Sequence, residues 1–448
     1  MKILIIGAGD VGYYLAQELT QEKHDVIVVE SNSERLQHIS KNLDVMVIEG
    51  DGTRQAVLRE AGVSSADMLI AVTDSDEANI ISCMIAREYQ VKTKIARVRD
   101  HELTSPDSVL KPEKIGVDLL INPELETSKE IVRLIRHPAA TDVMEFFDGR
   151  VELLGMFVAD DSPAVGKTLA ELGRRFTDFN YRMVAITRGN RTLIPRGSEI
   201  VRKDDLVYVV IQKEAAQEVF ALVNHQQRTV EHLMILGAGR IGRLVAAEMQ
   251  KDHRIDVKLV DANPDKARRV AEMLDETLVV EADGRDIDAM AAEGLIDMDV
   301  FVACTDDDEN NIVASLVAQH LGVKRTITLL EKHFYLSIIR AIGLEIGVNK
   351  HILTSNAILK YIRHGKVLSF SHVRGINAET IVYSVVQKAK ITKKPLKDLN
   401  LPDDCLIGAV RRGKEVIIPT GETRIEPEDE ALVFYLPSVR DKLNSWFD

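Results

Sequence analysis

The sequence predicts an α/β protein with two Rossmann-like lobes, each a doubly wound parallel sheet and each followed by a small α+β lobe, the whole being an internal duplication. Three observations carry this reading. KILIIGAGDVG, residues 2–12, and HLMILGAGRIG, residues 232–242, each run an apolar strand into Gly-x-Gly-x-x-Gly and then into a helical apolar pattern. Each is followed by a second apolar strand ending in an acid, Glu30 or Asp261, roughly 20 residues beyond the glycines. The later motifs then recur in the same order in both halves.

In the glycine triplets, Gly7 and Gly237 permit the tight turn, and Gly9 and Gly239 let a diphosphate approach the backbone. Gly12 and Gly242 let helix and strand pack closely, so that the helix N-terminus faces the phosphates. After Glu30, SNSERLQHISKNL reads as a helix capped by Ser31 or Ser33, and DVMVIEGDGT as a third strand ending at Gly50-Asp51-Gly52. MLIAVTDSDEAN follows at once as a fourth strand that stops at Thr73-Asp74, its acids opening the next helix. KIARVRD and VDLLINPE supply strands five and six. Such alternation places a ligand crevice at the strands' carboxyl ends, with Gly7, Glu30, Asp51, Thr73 and Arg97.

The run from Glu126 to Pro138 reads as a helix leaving the sheet, with a domain boundary near residue 140. Beyond it, a hairpin signal at Arg188-Gly189-Asn190 and one short helix describe a small lobe. Gly166-Lys167-Thr168 looks like the end of a P-loop but lacks the upstream glycine, so it reads as a turn capping TLAEL. In the second half Asp261 answers to Glu30, Asp283 to Asp51, and Thr305-Asp306 to Thr73-Asp74. The helix ending at His364 answers to the one ending at His137, and His333 to His101. The predicted domains are 1–140, 141–228, 229–367 and 368–448.

The 448 residues are 45% hydrophobic and 28% charged, with a formal net charge of −13. That charge argues against nucleic acid and against docking on anionic lipid by charge alone. No apolar run approaches the roughly 20 residues that span a bilayer, and the N-terminus reads as a strand and not a signal peptide, so the chain is expected in the cytosol. Cys83, Cys304 and Cys405 are far apart and read as packing thiols, with no disulfide or zinc framework. The acidic runs 74–77 and 306–309 suit helix starts without a metal.

The two halves differ where ligands would bind. Asp10 in the first glycine loop becomes Arg240 in the second, and Arg97 and Arg99 become Leu329 and Glu331. Arg240 beside phosphates suits a ligand with extra negative charge. Glu30 and Asp261 disfavour a 2′-phosphate, hence NADP, and leave NAD, ATP and ADP open. An NAD-dependent oxidoreductase is the alternative reading, but no acid–base constellation or Tyr-x-x-x-Lys pair repeats, and Tyr13 and Tyr14 read as packing residues.

This order of motifs resembles the regulator-of-potassium-conductance (RCK) domain. Two such domains in one chain resemble the peripheral nucleotide-binding subunits of Trk potassium uptake systems. The resemblance covers nearly the whole chain. It implies a regulator and not an enzyme, assembled as a cytoplasmic homotetramer ring on an integral-membrane potassium-translocating partner and binding NAD or NADH and adenine nucleotides. By the family's motifs, nucleotide contacts fall on Gly7, Ala8, Gly9, Asp10, Val11, Glu30, Thr73, Asp74 and Arg97, with Gly12 and Asp51 beside them. In the second half they fall on Gly237, Gly239, Arg240, Ile241 and Asp261, with Ala238, Gly242, Asp283, Thr305 and Asp306 beside them.

Overall fold

The structure, a computed structural model, describes residues 1–105, 107–137, 140–177, 180–189, 191–223, 230–339, 341–344, 346–362, 367–372 and 377–447. Asn190, Pro138, His364 and the 228/229 boundary lie outside the described residues. The first lobe begins with β1 (Lys2–Ile6), α1 (Asp10–Gln21), β2 (Asp25–Glu30), α2 (Ser33–Asn42) and β3 (Met46–Glu49). It continues with α3 (Gln55–Glu60), β4 (Met68–Ala71), α4 (Asp76–Glu88) and β5 (Thr93–Arg97). Two single-turn helices, α5 (His101–Thr104) and α6 (Pro112–Ile115), lead to β6 (Leu119–Ile121) and then α7 (Pro123–Arg136).

The sheet is parallel throughout, in the order β3-β2-β1-β4-β5-β6. Helices cover both faces of such a sheet, which is why Ile3, Leu4, Ile5 and Ile6 are all buried and read as one unbroken apolar run. Strand order reverses between β1 and β4, and that switch point is where the carboxyl ends open a crevice.

Three local expectations are corrected. The cap of α2 is Asn32, whose side chain accepts from the N–H groups of Glu34 and Arg35 at 3.0 Å. Ser31 and Ser33 instead donate their hydroxyls to Glu30 and Glu49. Strand β4 does not follow β3 at once, because α3 intervenes; with only Leu58 buried, that helix leaves almost no periodic signal. The helix leaving the sheet begins at Pro123 and not at Glu126, since the Asn122 side chain accepts from Leu125 N–H and starts it early.

The first small lobe contains β7 (Asp142–Phe146), β8 (Val151–Phe157), α8 (Leu169–Arg175), β9 (Tyr181–Arg188), β10 (Arg191–Leu193), β11 (Leu206–Gln212) and α9 (Ala216–Val219). Its antiparallel sheet, β10-β9-β11-β8-β7, has more strands than the one hairpin read from the sequence. Thr168 does cap α8: it and Glu171 form a reciprocal capping box.

The second half repeats the plan. Its Rossmann lobe runs β12 (His232–Leu236), α10 (Arg240–Met249), β13 (Asp256–Asp261), α11 (Pro264–Ala271), β14 (Thr277–Glu281) and α12 (Ile287–Ala292). There follow β15 (Val300–Ala303), α13 (Asp308–His320), β16 (Arg325–Leu330), α14 (Tyr335–Ile339), β17 (Ile346–Asn349) and α15 (Lys350–Ile362). The sheet order is again the doubly wound one, β14-β13-β12-β15-β16-β17. The last lobe has β18 (Val367–His372), β19 (Glu379–Ser384), β20 (Cys405–Arg412), β21 (Glu415–Ile417), β22 (Glu430–Tyr435) and α16 (Arg440–Phe447). Its sheet, β18-β19-β22-β20-β21, is antiparallel. Pro395 stands where Thr168 stands in the first small lobe and offers no side-chain acceptor, so only a single 3-10 turn, Leu396–Asp398, forms there.

In space, like associates with like. One compact unit holds the two Rossmann lobes, Met1–Val132 with Glu231–Leu359, and a second holds the small lobes, Arg133–Val230 with Lys360–Asp448. Within the second unit the two sheets share one core, in which Val184, Leu206 and Val210 pack with Val382, Leu432 and Phe434. A Cβ at Gly408 would lie 2.6 Å from the Phe434 ring, and the β20 register shifts at that residue. Each small lobe also buries one acid under a bidentate arginine fork. Arg188 Nε and Nη2 donate to Asp205 at 2.8 Å, and Arg412 repeats the pair on Asp429.

Glu152, on β8, is fully buried, and neither carboxylate oxygen has a hydrogen-bond partner; His137 Nε2 lies 3.8 Å away. Burial pushes its carboxyl up to about 6. A raised acid stabilises the fold while protonated, so its contribution is complete below the unfolded value near 4.5 and is lost as pH rises through about 6. Glu152→Gln should therefore stabilise the protein by on the order of 1 kcal/mol at pH 8 and not at pH 4.5, as read from thermal unfolding at the two pH values.

Candidate functional site

The site is built on the glycine turns. Gly7 adopts φ +104° and Gly237 φ +111°, a left-handed backbone that side chains resist. A Cβ at Gly12 would lie 1.9 Å from the Gly7 carbonyl oxygen, and one at Gly242 would lie 2.0 Å from that of Gly237. The third glycine is thus what lets the first helix sit against the strand. A Cβ at Gly9 would meet nothing nearer than Arg35 Nη1 at 3.8 Å, so the second glycine faces open space above the N-terminus of α1. The acid closing β2 braces the turn: Ala8 N–H donates to Glu30 Oε2 at 2.7 Å, and Ala238 N–H to Asp261 Oδ2 at 2.7 Å. Glu30 Oε1 and Asp261 Oδ1 also accept from Asn32 and Asn263 N–H, and each carboxylate keeps spare lone pairs toward the crevice.

The first crevice, about 930 Å³, runs over Gly9 between β1 and β4. Asn79, fully buried, ties its far wall: it accepts from Thr73 N–H and Oγ1 and donates to the Thr73 and Arg97 carbonyls. Arg97 is buried at 4% exposure, with Nη1 3.2 Å from Asp74 Oδ1 and Nε without a hydrogen-bond partner. Asp51 Oδ1 accepts from Thr53 N–H and Oγ1, which hold its carboxyl below the usual range.

The opposite wall comes from the other Rossmann lobe: Glu331, His333, Asn349 and His351 line this crevice. His351 Nε2 stands 3.6 Å from the Asp10 carboxylate. The second crevice is completed in return by Arg99, His101, Asn122 and Glu124 from the first lobe. It has a larger part of about 1270 Å³ lined by Gly239, Arg240 and Ile241, and an adjoining recess of about 200 Å³ formed by Gly237, Asp261, Asp283 and Gly284. Arg240 Nη1 donates to the Arg99 carbonyl at 3.4 Å. In the recess, hydrogen bonds from the Arg285 guanidinium hold the Asp283 carboxyl down to about 2. Asn311 repeats the Asn79 strap between Thr305 and the Leu329 carbonyl.

The TrkA-N domain family matches residues 3–123 and 233–350, and the TrkA-C domain family matches residues 153–224 and 381–448. This chain belongs to the TrkA family. The Trk system potassium uptake protein TrkA of Halomonas elongata is 34% identical over 444 residues, covering 98% of this chain and 97% of that protein. The TrkA of Vibrio alginolyticus is 31% identical, covering 97% and 95%, and the TrkA homolog of Archaeoglobus fulgidus 34%, covering 97% of each. Among solved structures the fold is similar to the GsuK RCK domain, with a TM-score of 0.62 at 18% identity over 100% of this chain and 94% of that one. It is likewise similar to the GsuK channel bound to NAD, with a TM-score of 0.61 at 18% identity over 100% and 78%.

Against this TrkA frame, Gly7, Ala8, Gly9, Asp10, Val11, Glu30, Asp51, Thr73, Asp74 and Arg97 all line the first crevice. Gly237, Ala238, Gly239, Arg240, Ile241, Asp261, Asp283, Thr305 and Asp306 line the second. Gly12 and Gly242 are not brought to either: they lie beneath the turns, where they are needed for packing. Arg97 lines the first crevice and Arg99 the second, and the two meet at Asp74 Oδ1, 3.2 Å from each. Tyr13 and Tyr14, read as packing residues, line the first crevice, where the Tyr13 ring lies 5.3 Å from that of His38. Asn79 and Asn311 went unread, although each closes its TDSDEAN or TDDDENN run at the same spacing.

The two glycine positions should respond oppositely to the smallest side chain. Gly12→Ala must push α1 off β1 and should cost about 3 kcal/mol or more, whereas Gly9→Ala should cost less than about 1 kcal/mol. Urea unfolding of the two variants, followed by circular dichroism, checks the contrast.

Proposed function

We propose that this chain is the nucleotide-sensing regulatory subunit of a Trk-type potassium uptake system, with NAD or NADH in the first crevice and an adenine nucleotide in the second. The observation that carries this reading is that each Rossmann lobe opens its switch-point crevice against residues of the other lobe. A ligand filling either crevice therefore touches both lobes and favours one lobe packing over another. The names of the relatives supply the transported ion, and the GsuK channel bound to NAD supports the ligand class.

The residues fit a dinucleotide. The open space at Gly9 receives a diphosphate at the N-terminus of α1, where backbone N–H groups and the helix dipole favour anions. Glu30 has lone pairs left for ribose hydroxyls, and the unpartnered Arg97 Nε is a buried donor. In this role the dinucleotide supplies binding energy and no bond-making. Differential binding of roughly 1 to 3 kcal/mol per site shifts the equilibrium between lobe arrangements. We place the protein at the cytoplasmic face of the membrane, as a homotetramer ring held there by the integral-membrane potassium-translocating subunit. No described helix is long and apolar enough to cross a membrane, so in this reading attachment goes through that partner. The domain division at about 140, 228 and 367 belongs to the same proposal.

Calorimetric titration with NAD, NADH, ATP and ADP, on the wild type and on Gly9→Asp and Gly239→Asp, tests the reading. Both positions have room for a Cβ, so the new carboxylate enters the phosphate cradle without disturbing the fold. Each variant should lose one class of site, with at least a tenfold weakening of its ligand. Absence of nucleotide binding in the wild type would overturn the proposal.

A further inference from the structure

The two crevices carry different groups at one equivalent pair of positions. In the first, the glycine turn contributes Asp10 and the opposing lobe contributes His351; in the second, the glycine turn contributes Arg240 and the opposing lobe Glu124. His351 follows Asn349-Lys350 as Glu124 follows Asn122-Pro123, so both groups leave the first turn of the helix after the sixth strand. Asp10 is a poor neighbour for a diphosphate. It sits in the first turn of α1, where the anion is to be received, and its side chain is 80% exposed. Something must offset two like charges there.

His351 is placed to do so. Its imidazole is 18% exposed, lines the crevice, and stands 3.6 Å from the Asp10 carboxylate. The groups facing it are Asp10 on α1, Arg97 on β5, and Glu331 and Lys350 on its own lobe, with His333 nearby in the lining. Glu331 and Lys350 are themselves ion-paired. Burial foremost, with help from Lys350 and Arg97, outweighs Asp10 and Glu331 and holds the ring's pKa below its ordinary value of 6.5. The ring is therefore less readily protonated than a free imidazole while the crevice holds no anion.

We propose that His351, delivered by the second Rossmann lobe, is a positioning residue of the first crevice that takes up a proton when a dinucleotide's diphosphate enters. The proposal rests on the reading of that crevice as a dinucleotide site. A diphosphate favours the imidazolium, and the imidazolium in turn offsets the Asp10–diphosphate repulsion. Proton uptake on binding means that affinity falls as pH rises, by up to about tenfold per pH unit for one full proton. The second crevice has no imidazole at this place, because Glu124 stands there. Ligand and proton are thus read together in one crevice through a side chain of the opposite lobe.

NAD is the suitable probe, because its diphosphate does not titrate near neutrality and any proton taken up comes from the protein. The full-length Gly239→Asp variant is titrated with NAD from pH 6.5 to 8, in pairs of buffers with different ionisation enthalpies. The expected result is uptake of up to one proton per NAD and a threefold to tenfold loss of affinity per pH unit, as expected for a single linked proton. His351→Gln should bind more weakly with no uptake, and His351→Lys should bind at least as tightly as the parent with no pH dependence. NAD binding without buffer-dependent enthalpy overturns this inference and leaves the nucleotide reading standing, whereas no NAD binding overturns both. Proton uptake that persists in His351→Gln also overturns it. Should that variant not fold, pH-dependent binding in His351→Lys does so alone.

Discussion

The upper rim of each Rossmann lobe depends on one close approach, that of the first helix to the first turn. Only because Gly12 has no side chain to strike the Gly7 carbonyl can α1 begin where it does. Its first N–H groups then point into the switch point of the sheet. The acid at the end of β2 fastens the turn through the Ala8 N–H, and the asparagine strap from α4 fastens the ends of β4 and β5. The crevice is thus preorganised by backbone and buried amides, and its variable side chains are left to set what it prefers. The same parts recur in the second lobe with nearly the same distances.

Between the two Rossmann lobes, the crevice side chains named above differ mainly in charge. Asp10 against Arg240, Arg97 against Leu329, and His351 against Glu124 change the sign or the capacity of each crevice without touching the braces that hold its shape. This separation of scaffold from preference explains how the two halves keep one fold while their sites diverge. It also explains why the acidic runs after β4 and β15 are structural at their core. Asp76 accepts from Arg99 and Asp100 N–H, and Asp308 accepts from Glu331 and Lys332 N–H, which fixes the loops that reach the other lobe's crevice.

Much of this was legible in the sequence, and the exceptions have physical reasons. Parallel strands buried on both faces and glycine turns leave strong local signals, so the sheets, the duplication and one wall of each crevice could be read directly. The acid after the second strand was legible as a crevice residue but not as a brace, because the brace is a backbone contact. Helix α3 and the small-lobe strands beyond the hairpin carry too little periodicity to be read. The crossed placement of Glu331 and Arg99, and the part played by His351 and Glu124, were hidden for a different reason. These residues reach their crevices only when two lobes distant in sequence come together, and no local spacing encodes that. His101 and His333 repeat at equivalent positions of the two halves, yet each lines the crevice of the other half.

The cross-completion of the crevices has a consequence for inheritance. Were the two Rossmann lobes separate identical chains in a symmetric pair, a substitution in the glycine turn would alter both crevices at once, and one crevice could never carry an acid where the other carries an arginine. Joining them in one polypeptide frees each crevice to mutate alone while still borrowing its far wall from its sibling. The same arrangement makes the halves hostages to one another: a lesion at the tip of one lobe alters the far wall of the crevice in the lobe across from it, where the sequence itself is intact.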